Sequence, residues 1–444
     1  MKNTWTIARL AFPIILANAS APLLGLADTA ALGHTADAAA LGGIALGALI
    51  FSFVYWGFGF LRMSTTGFTA QAVGAKDPVE VRSVLLRALA LGIGIGIMLI
   101  ILKQLIGWAA LSLMSASEDV KALVSDYFYI RIWGAPATLA TYALLGTLIG
   151  LSETKKLLMI QLFLNGINIC LNLLFVLKMG WGIKGIALGT IIAEWMTFGL
   201  ALWIVVRSIK LLVGPDEFFW PWQQVFVKPK IKAMLKTNSD IMIRTLALLS
   251  GFAWFANQGA KFGDVTLAAN HILLQFVSLS AFFLDGYAYV VEMLTGKAIG
   301  AKDRNAFTRN LRDSSRLAAV TAVALSLLVF VFGHEAISFL TIDESVRDVA
   351  TQYLPYAAFY ILISFVAFQL DGVFIGATWS KEMRNASLLS VLLFIGLGLA
   401  LVTWKGNQGL WLAFSVYVLV RGISLLAYMP KLLDKLSDNR PVGY

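Results

Sequence analysis

The strongest constraint on this chain is a series of apolar runs that follow one another from end to end. Each run has about 20 or more residues, enough for a helix to cross a hydrocarbon core of about 30 Å. Of the 444 residues, 59% are hydrophobic and only 14% are charged, which excludes an ordinary soluble domain. We therefore expect an all-α polytopic membrane protein with twelve transmembrane helices. The predicted spans lie at about 5–32, 40–70, 82–114, 120–150, 156–178, 183–210, 232–257, 264–296, 308–335, 346–378, 384–404 and 408–432.

The chain also contains an internal repeat. The segment Thr69–Asp77, TAQAVGAKD, is echoed by Thr295–Asp303, TGKAIGAKD, at an offset of 303 − 77 = 226 residues. Gly146 and Gly372 keep the same offset, since 372 − 146 = 226. Because six spans is an even number, both copies insert in the same orientation, as in a parallel repeat about an axis along the membrane normal. We expect two pseudo-symmetric six-helix lobes that face each other across a cleft.

A long polar break near the middle of the chain separates the two copies. It contains Pro215, Pro221 and Pro229 together with several aromatic residues. Prolines prevent a helix from continuing, and aromatic side chains suit the membrane interface. We therefore predict an N-terminal lobe at 1–210, a cytoplasmic linker at 211–231 and a C-terminal lobe at 232–444.

Lysine and arginine collect in alternate breaks between the spans. Basic residues are concentrated around Lys76, at Lys155 and Lys156, between Arg207 and Lys236, and in the C-terminal tail. Cytoplasmic loops carry this excess, so both termini are predicted to be cytoplasmic. The formal net charge of +10 is explained by these loops, and we expect membrane lipids but no nucleic acid as partners.

One carboxylate, Asp28, lies late in the first span. A charged side chain at the centre of a bilayer costs roughly 3 kcal/mol or more, so such groups usually face a cavity or a partner and have a function. Pro13 precedes Asp28 in the same helix and permits a bend there. The alternative is that Asp28 lies at the helix end, already in contact with water.

The fifth span carries three amides, Asn165, Asn168 and Asn172. Their spacings of three and four residues place them on one helical face. We predict that they face Asp28 and can hydrogen-bond its protonated or ionised form. The alternative is a structural role, because amides also hold helices together in lipid.

Charged residues of the C-terminal half form a second set. Asp240 and Arg244 lie on the seventh span, Asp285 on the eighth and Asp371 on the tenth. An isolated buried arginine is unfavourable, so we expect Arg244 to pair with Asp285 or Asp371. Two interpretations remain open for the set, a fixed ion-pair lock that holds three helices and a second cation or proton site.

Arg131 and Glu194 lie at comparable depths on spans four and six, and we predict a structural ion pair between them. The three histidines are scattered and Cys170 is the single cysteine, so we expect no metal site. The sequence has no phosphate-binding loop and no hydrolase or metalloprotease motif. We predict a protein that is not an enzyme, needs no cofactor, and draws its energy from an ion gradient.

Several motifs resemble one known family. They are Ala11-Phe-Pro13, the stretch Asp28-Thr-Ala-Ala-Leu-Gly33, the paired V/I-G-A-K-D loops, and Tyr127-x-x-x-Arg131-x-x-Gly134-x-Pro136. Together they resemble the multidrug and toxic compound extrusion family. Arg244-Thr-Leu and Leu284-Asp-Gly286 resemble its DinF-like branch. The resemblance extends over essentially the whole chain.

The resemblance implies two lobes in a V and the export of amphipathic or cationic organic compounds in exchange for protons or sodium. It identifies Asp28 with a first-helix aspartate whose protonation is proposed to bend that helix at a proline, here Pro13. Asn168 and Asn172 match polar partners on the fifth helix. Some relatives have an aspartate at the second of these positions, so the amide here favours protons over a tightly bound sodium ion.

These observations lead to one hypothesis for function. The chain is a secondary active multidrug exporter that acts as a monomer by alternating access, with protonation of Asp28 bending the first helix. A sodium-coupled drug antiporter and a flippase for a lipid-linked substrate are the alternatives. The two lobes differ in chemistry, because the position equivalent to Asp28 is Trp254, at 28 + 226 = 254.

Overall fold

The structure is a computed structural model that describes the backbone of residues 2–33, 38–114, 117–213 and 220–437. Side chains are described for 3–20, 42–114, 117–212 and 220–436. Within these ranges the chain is helical and contains no β-strand. The helices are α1 (Lys2–Gly33), α2 (Ala38–Gly57), α3 (Phe60–Gly74), α4 (Pro78–Ile101), α5 (Lys103–Ser112), α6 (Glu118–Arg131), α7 (Ala135–Leu151), α8 (Thr154–Leu173), α9 (Gly182–Val213), α10 (Trp222–Val225), α11 (Lys228–Ala260), α12 (Asp264–Gly300), α13 (Arg304–Leu340), α14 (Glu344–Gly376), α15 (Ser380–Lys405) and α16 (Asn407–Ser437).

The predicted all-α polytopic membrane fold is confirmed. The described residues include 11 helical stretches long and apolar enough to cross a membrane, and each coincides with one of the last eleven predicted spans. The first predicted span coincides with α1, which has 32 residues.

Three predicted spans are interrupted in ways that hydropathy does not show. The second is divided at Phe58 and Gly59, between α2 and α3, and the third ends at Ile101, before the short helix α5. The fourth passes through a 3₁₀ turn, Ile132–Gly134, between α6 and α7. Pro136 has no N–H to donate to the carbonyl oxygen of Ile132, and this oxygen instead accepts a hydrogen bond from Ala135 N, which closes the 3₁₀ turn.

The repeated V/I-G-A-K-D loops have the same local structure in both copies. Lys76 and Lys302 both have a φ of 55°, the left-handed conformation that ends a helix. The carboxylate of Asp77 accepts a hydrogen bond from Glu80 N at 2.9 Å, and that of Asp303 accepts one from Ala306 N at 2.8 Å. Each aspartate thereby caps the helix that follows it, so the sequence repeat is also a structural repeat.

Glycines at equivalent positions allow two long helices to cross closely. A Cβ atom at Gly146 on α7 would lie well inside van der Waals contact with the carbonyl oxygen of Arg62 on α3. A Cβ atom at Gly372 on α14 would meet the carbonyl oxygen of Ala288 on α12 in the same way. Both lobes therefore use the same backbone-to-backbone crossing, which small residues permit in membranes.

Contacts divide the chain into two compact units. One is Leu16–Ile231, called here the N-terminal unit, and the other is Met1–Ile15 with Lys232–Tyr444, called the C-terminal unit. The N-terminal unit has an aliphatic core of residues from α4, α7, α8 and α9. The core of the C-terminal unit is aromatic and includes Phe255, Phe394, Trp411 and Phe414. The predicted lobes at 1–210 and 232–444, with their linker at 211–231, stay a prediction.

Part of that linker is tied to α4. The guanidinium of Arg87 donates to the carbonyl oxygens of Val225, at 3.1 Å, and Gln224, at 3.2 Å. Glu80, also on α4, accepts hydrogen bonds from Arg87 at 3.0 Å and from Lys230 at 2.5 Å. The end of the linker is therefore held against α4, inside the N-terminal unit, by one ion pair and two hydrogen bonds to backbone carbonyl oxygens.

Candidate functional site

The three amides of α8 are all buried inside the N-terminal unit. Asn172 Nδ2 donates a hydrogen bond of 2.6 Å to Asn168 Oδ1, as the four-residue spacing on a helix allows. Asn165 Nδ2 donates to Ser20 Oγ on α1 at 2.9 Å. A π-helical turn, Leu174–Lys178, follows α8 directly; such turns are frequent at functional sites.

A polar cavity of about 270 Å³ lies inside the N-terminal unit beside these amides. Ten of its thirteen lining residues carry a hydroxyl, amide or charged group, although most of the wall surface is apolar and the surrounding helices are apolar enough to span a membrane. The cavity is lined by Tyr55, Arg131, Thr138, Thr141, Tyr142, Leu145, Ile160, Gln161, Leu164, Asn168, Thr190, Glu194 and Thr197.

The predicted ion pair of Arg131 and Glu194 is confirmed, with Arg131 Nη1 and Glu194 Oε1 2.8 Å apart. Arg131 Nε also donates to the Tyr127 hydroxyl at 3.2 Å, and the guanidinium carbon lies 5.0 Å from the ring centre of Phe51. Both members of the pair line the cavity. Sequence reasoning assigned them a structural role and did not place them in a cavity, because only the fold brings spans two, four, five and six around one space.

Asp28 and Pro13 both lie on α1. The side chain of Asp28 falls outside the described residues, so its predicted contact with Asn168 and Asn172 stays a prediction. Pro13 is buried, and α1 continues past it without a break. The boundary between the two compact units follows Ile15, two residues after Pro13.

In the C-terminal unit, Arg244 pairs with Asp371, one of the two predicted partners. A second arginine, Arg421 on α16, approaches the same carboxylate oxygen, with its Nη2 atom at 3.7 Å. All three side chains are buried. Sequence reasoning missed Arg421, although its signal was present, since this arginine interrupts the apolar run VLVRGISLL.

The charged residues predicted as one set in the C-terminal half form at least two separate ion pairs, because Asp240 does not pair with Arg244. Asp240 forms an ion pair of 2.6 Å with Arg384 on α15 and accepts a hydrogen bond of 3.0 Å from the Ser380 hydroxyl. Asp285, on α12, is half-buried.

The MatE family model matches residues 13–174 and 242–400. The chain belongs to the MatE family. The two matched segments have 174 − 13 + 1 = 162 and 400 − 242 + 1 = 159 residues, in agreement with the internal repeat. MatE proteins are transporters and not enzymes, so this chain is a membrane transporter.

Comparison with individual MatE proteins supports this assignment. The chain is 36% identical to the DNA damage-inducible protein F of Escherichia coli K12 over 421 residues, 94% of this chain and 90% of the relative. It is 27% identical to a probable multidrug resistance protein NorM of Bacillus thuringiensis, over 92% of this chain and 91% of the relative. The predicted resemblance to the DinF-like branch is thus confirmed.

A solved structure shares the fold of this MatE chain. It is that of a MOP superfamily transporter from Pyrococcus furiosus, with a TM-score of 0.86 and 15% identity, covering 98% of this chain and 97% of the other. At that identity the likeness supports the fold alone.

Proposed function

We propose that the chain is a secondary active exporter that moves amphipathic or cationic organic compounds outward in exchange for protons. It works as a monomer in the bacterial cytoplasmic membrane, with both termini in the cytoplasm. The observation that carries this proposal is the buried amide pair of Asn168 and Asn172 beside a polar cavity, inside helices that span the membrane. Membership of a transporter family supports it.

Asp28 is the proton site in this proposal. A carboxyl group surrounded by lipid and amides is easier to protonate than one in water, because burial disfavours its charged form. Protonation removes the charge and changes the hydrogen bonds that this proposal assigns to Asp28 and the amides of α8. The protonated protein then favours a bent α1 with a lower affinity for substrate, and this difference in affinity couples export to proton entry.

The hydrogen bonding of the amides favours protons over sodium as the coupling ion. Sodium is a hard cation that would need several oxygen ligands at this site. Asn168 Oδ1 already accepts a hydrogen bond from Asn172 Nδ2, so only one of its two lone pairs is left for a cation. A carboxylate at position 172 would supply charge and two oxygens, whereas the amide supplies one oxygen and a donor.

The proposal is tested by substrate efflux from proteoliposomes with pH and sodium gradients imposed separately. We expect a pH gradient alone to drive efflux and a sodium gradient alone to have no effect. Asp28→Asn should reduce pH-driven efflux to the level of protein-free vesicles, because asparagine cannot exchange a proton. Asp119→Asn is the matched control, since Asp119 is exposed at the start of α6, and it should transport as the unaltered protein does. Undiminished pH-driven efflux by Asp28→Asn would refute the assignment of the proton site, and efflux driven by sodium alone would refute proton coupling.

Replacing Pro13 tests the hinge. Proline has no N–H, so the carbonyl oxygen of Arg9 lacks its usual helical partner, and a proline inside a helix costs about 3 kcal/mol or more relative to alanine where no bend is needed. We expect Pro13→Ala to fold at least as stably as the unaltered protein but to transport several-fold more slowly. Pro355→Ala is the control, because Pro355 lies inside α14 of the C-terminal unit and has no role in the proposed bend. Normal turnover by Pro13→Ala in the proteoliposome assay would remove Pro13 from the mechanism.

A further inference from the structure

The cavity of the N-terminal unit contains chemistry that a site for protons alone does not need. Its Arg131 and Glu194 side chains neutralise each other, so the pair adds no net charge. A substrate group that contacts this pair is therefore attracted through hydrogen bonds more than through charge.

Five buried polar atoms on the cavity-lining residues have no hydrogen-bond partner within the described part of the chain. Two of the five are the hydroxyls of Tyr55 and Thr138, which interact with each other; three more remain. They are Glu194 Oε2, Thr197 Oγ1 and Asn168 Nδ2. Their residues are 7%, 1% and 0% exposed. A buried polar atom without a partner is unfavourable by about 1–3 kcal/mol, so a ligand whose groups bond to these three atoms would be stabilised in the cavity.

The chemistry of the three atoms is complementary to hydroxyl groups. Glu194 Oε2 is an acceptor, Asn168 Nδ2 is a donor, and the Thr197 hydroxyl is both. A ligand that bonds to all three must therefore carry groups that both donate and accept. Thr141 and Thr190 add further acceptor capacity, because their hydroxyl hydrogens are directed to the carbonyl oxygens of Ala137 and Ile186.

We infer that this cavity binds an uncharged polyhydroxylated group of the exported compound, such as a sugar or a polyol, through Glu194, Thr197 and Asn168. The volume of about 270 Å³ lies just below the range of about 300–1,000 Å³ typical of sites for whole drug molecules. It suits one ring-sized polar group. That the bound compound is exported rests on the proposed function, whereas the binding itself does not.

Equilibrium dialysis of the purified full-length protein tests this inference. Radiolabelled myo-inositol serves as the polyhydroxylated probe, and tetraphenylphosphonium serves as an organic cation that cannot donate hydrogen bonds. A polyoxyethylene ether detergent avoids the sugar head groups of maltosides and glucosides, which would compete. We expect saturable binding of myo-inositol by the unaltered protein.

Two variants remove the proposed contacts. Glu194→Gln and Thr197→Val should each weaken myo-inositol binding by about three- to tenfold, the usual effect of losing one hydrogen bond. Both should change tetraphenylphosphonium binding by less than twofold. Thr197→Val is the safer variant for folding, because it removes a hydroxyl without breaking a hydrogen bond to the described residues.

Thr147→Val is the matched control. Thr147 is buried on α7, its hydroxyl donates to Ala143 O at 3.0 Å, and it does not line the cavity. This variant should bind both probes as the unaltered protein does. An equal loss in Thr147→Val would overturn the inference by showing a packing effect, as would an equal loss of tetraphenylphosphonium binding in Glu194→Gln or the lack of saturable myo-inositol binding.

No ion gradient is present in the dialysis, so its failure is distinguishable from failure of the proposed function. A protein that exports a cation under a pH gradient but does not bind myo-inositol would leave proton-coupled export intact and refute this inference alone.

Discussion

Asp371→Asn should lower the free energy of unfolding by about 3–5 kcal/mol, the effect of removing one partner from a buried ion pair. Asp371 is 7% exposed and both Arg244 and Arg421 are 6% exposed. The substitution leaves two guanidinium groups in the interior with no carboxylate between them. Asparagine keeps the size and one oxygen, so the loss reports the charge and not the packing.

Two further variants make the result specific. Arg421→Gln keeps the balanced pair of Arg244 and Asp371, so we expect a much smaller loss than for Asp371→Asn. Asp348→Asn lies on the same helix at an exposed position and should change stability by less than about 0.5 kcal/mol. The measurement is unfolding in mixed detergent micelles, with the folded fraction followed by size-exclusion fluorescence. Equal stability of Asp371→Asn and Asp348→Asn would contradict a structural role for the cluster.

The charge balance of this cluster favours a fixed ion-pair lock over a second cation site. The two arginines and one aspartate together carry a formal charge of +1, which repels a cation. In the sequence repeat, Asp371 is equivalent to Leu145, since 371 − 226 = 145, and Arg244 is equivalent to Asn18, since 244 − 226 = 18. Leu145 lines the N-terminal cavity, so the C-terminal unit has an ion pair at a position where the N-terminal unit has a wall of its cavity.

Most of the fold could be predicted because the bilayer imposes a simple rule. A segment that crosses lipid must satisfy its own backbone hydrogen bonds, so every long apolar run becomes a helix. The two V/I-G-A-K-D loops revealed the repeat in the sequence, and the structure adds that the aspartate of each loop caps the next helix. The breaks at Phe58 and Ile101 were not predicted, because the apolar runs were assigned as whole spans, although Gly57 and Gly59 flank the first break and Lys103 follows the second.

The candidate site was only partly predictable for a related reason. Helical spacing is a local property, so Asn165, Asn168 and Asn172 could be assigned to one face from the sequence. The cavity depends on which faces of four spans meet, and that is a property of the whole N-terminal unit. Arg131 and Glu194 could be matched by depth, yet their position in a cavity wall required the fold.

Gly376→Ala should destabilise the C-terminal unit by about 1–3 kcal/mol or more, as expected for overpacking. A Cβ atom at Gly376 would overlap the carbonyl oxygen of Glu292 on α12 and would approach Thr295 Oγ1 at 2.8 Å. A backbone carbonyl oxygen cannot move away by a change of rotamer as a side chain can. The helices α12 and α14 must therefore separate where they cross. The same reasoning predicts a loss for Gly150→Ala, where the added Cβ would lie 2.7 Å from Thr69 Cβ.

Gly396→Ala is the matched control for this prediction, because Gly396 lies inside α15 with no atom within 4 Å of an added Cβ. Alanine restricts the unfolded backbone more than glycine does, so this variant should be stabilised by about 0.5–1 kcal/mol. The same unfolding assay measures all three variants. Opposite signs for Gly376→Ala and Gly396→Ala would show that close approach of α12 and α14, and not helix propensity, requires glycine at position 376. A gain in stability for Gly376→Ala would mean that the two helices can separate at little cost, and the repeated glycines would then need another explanation.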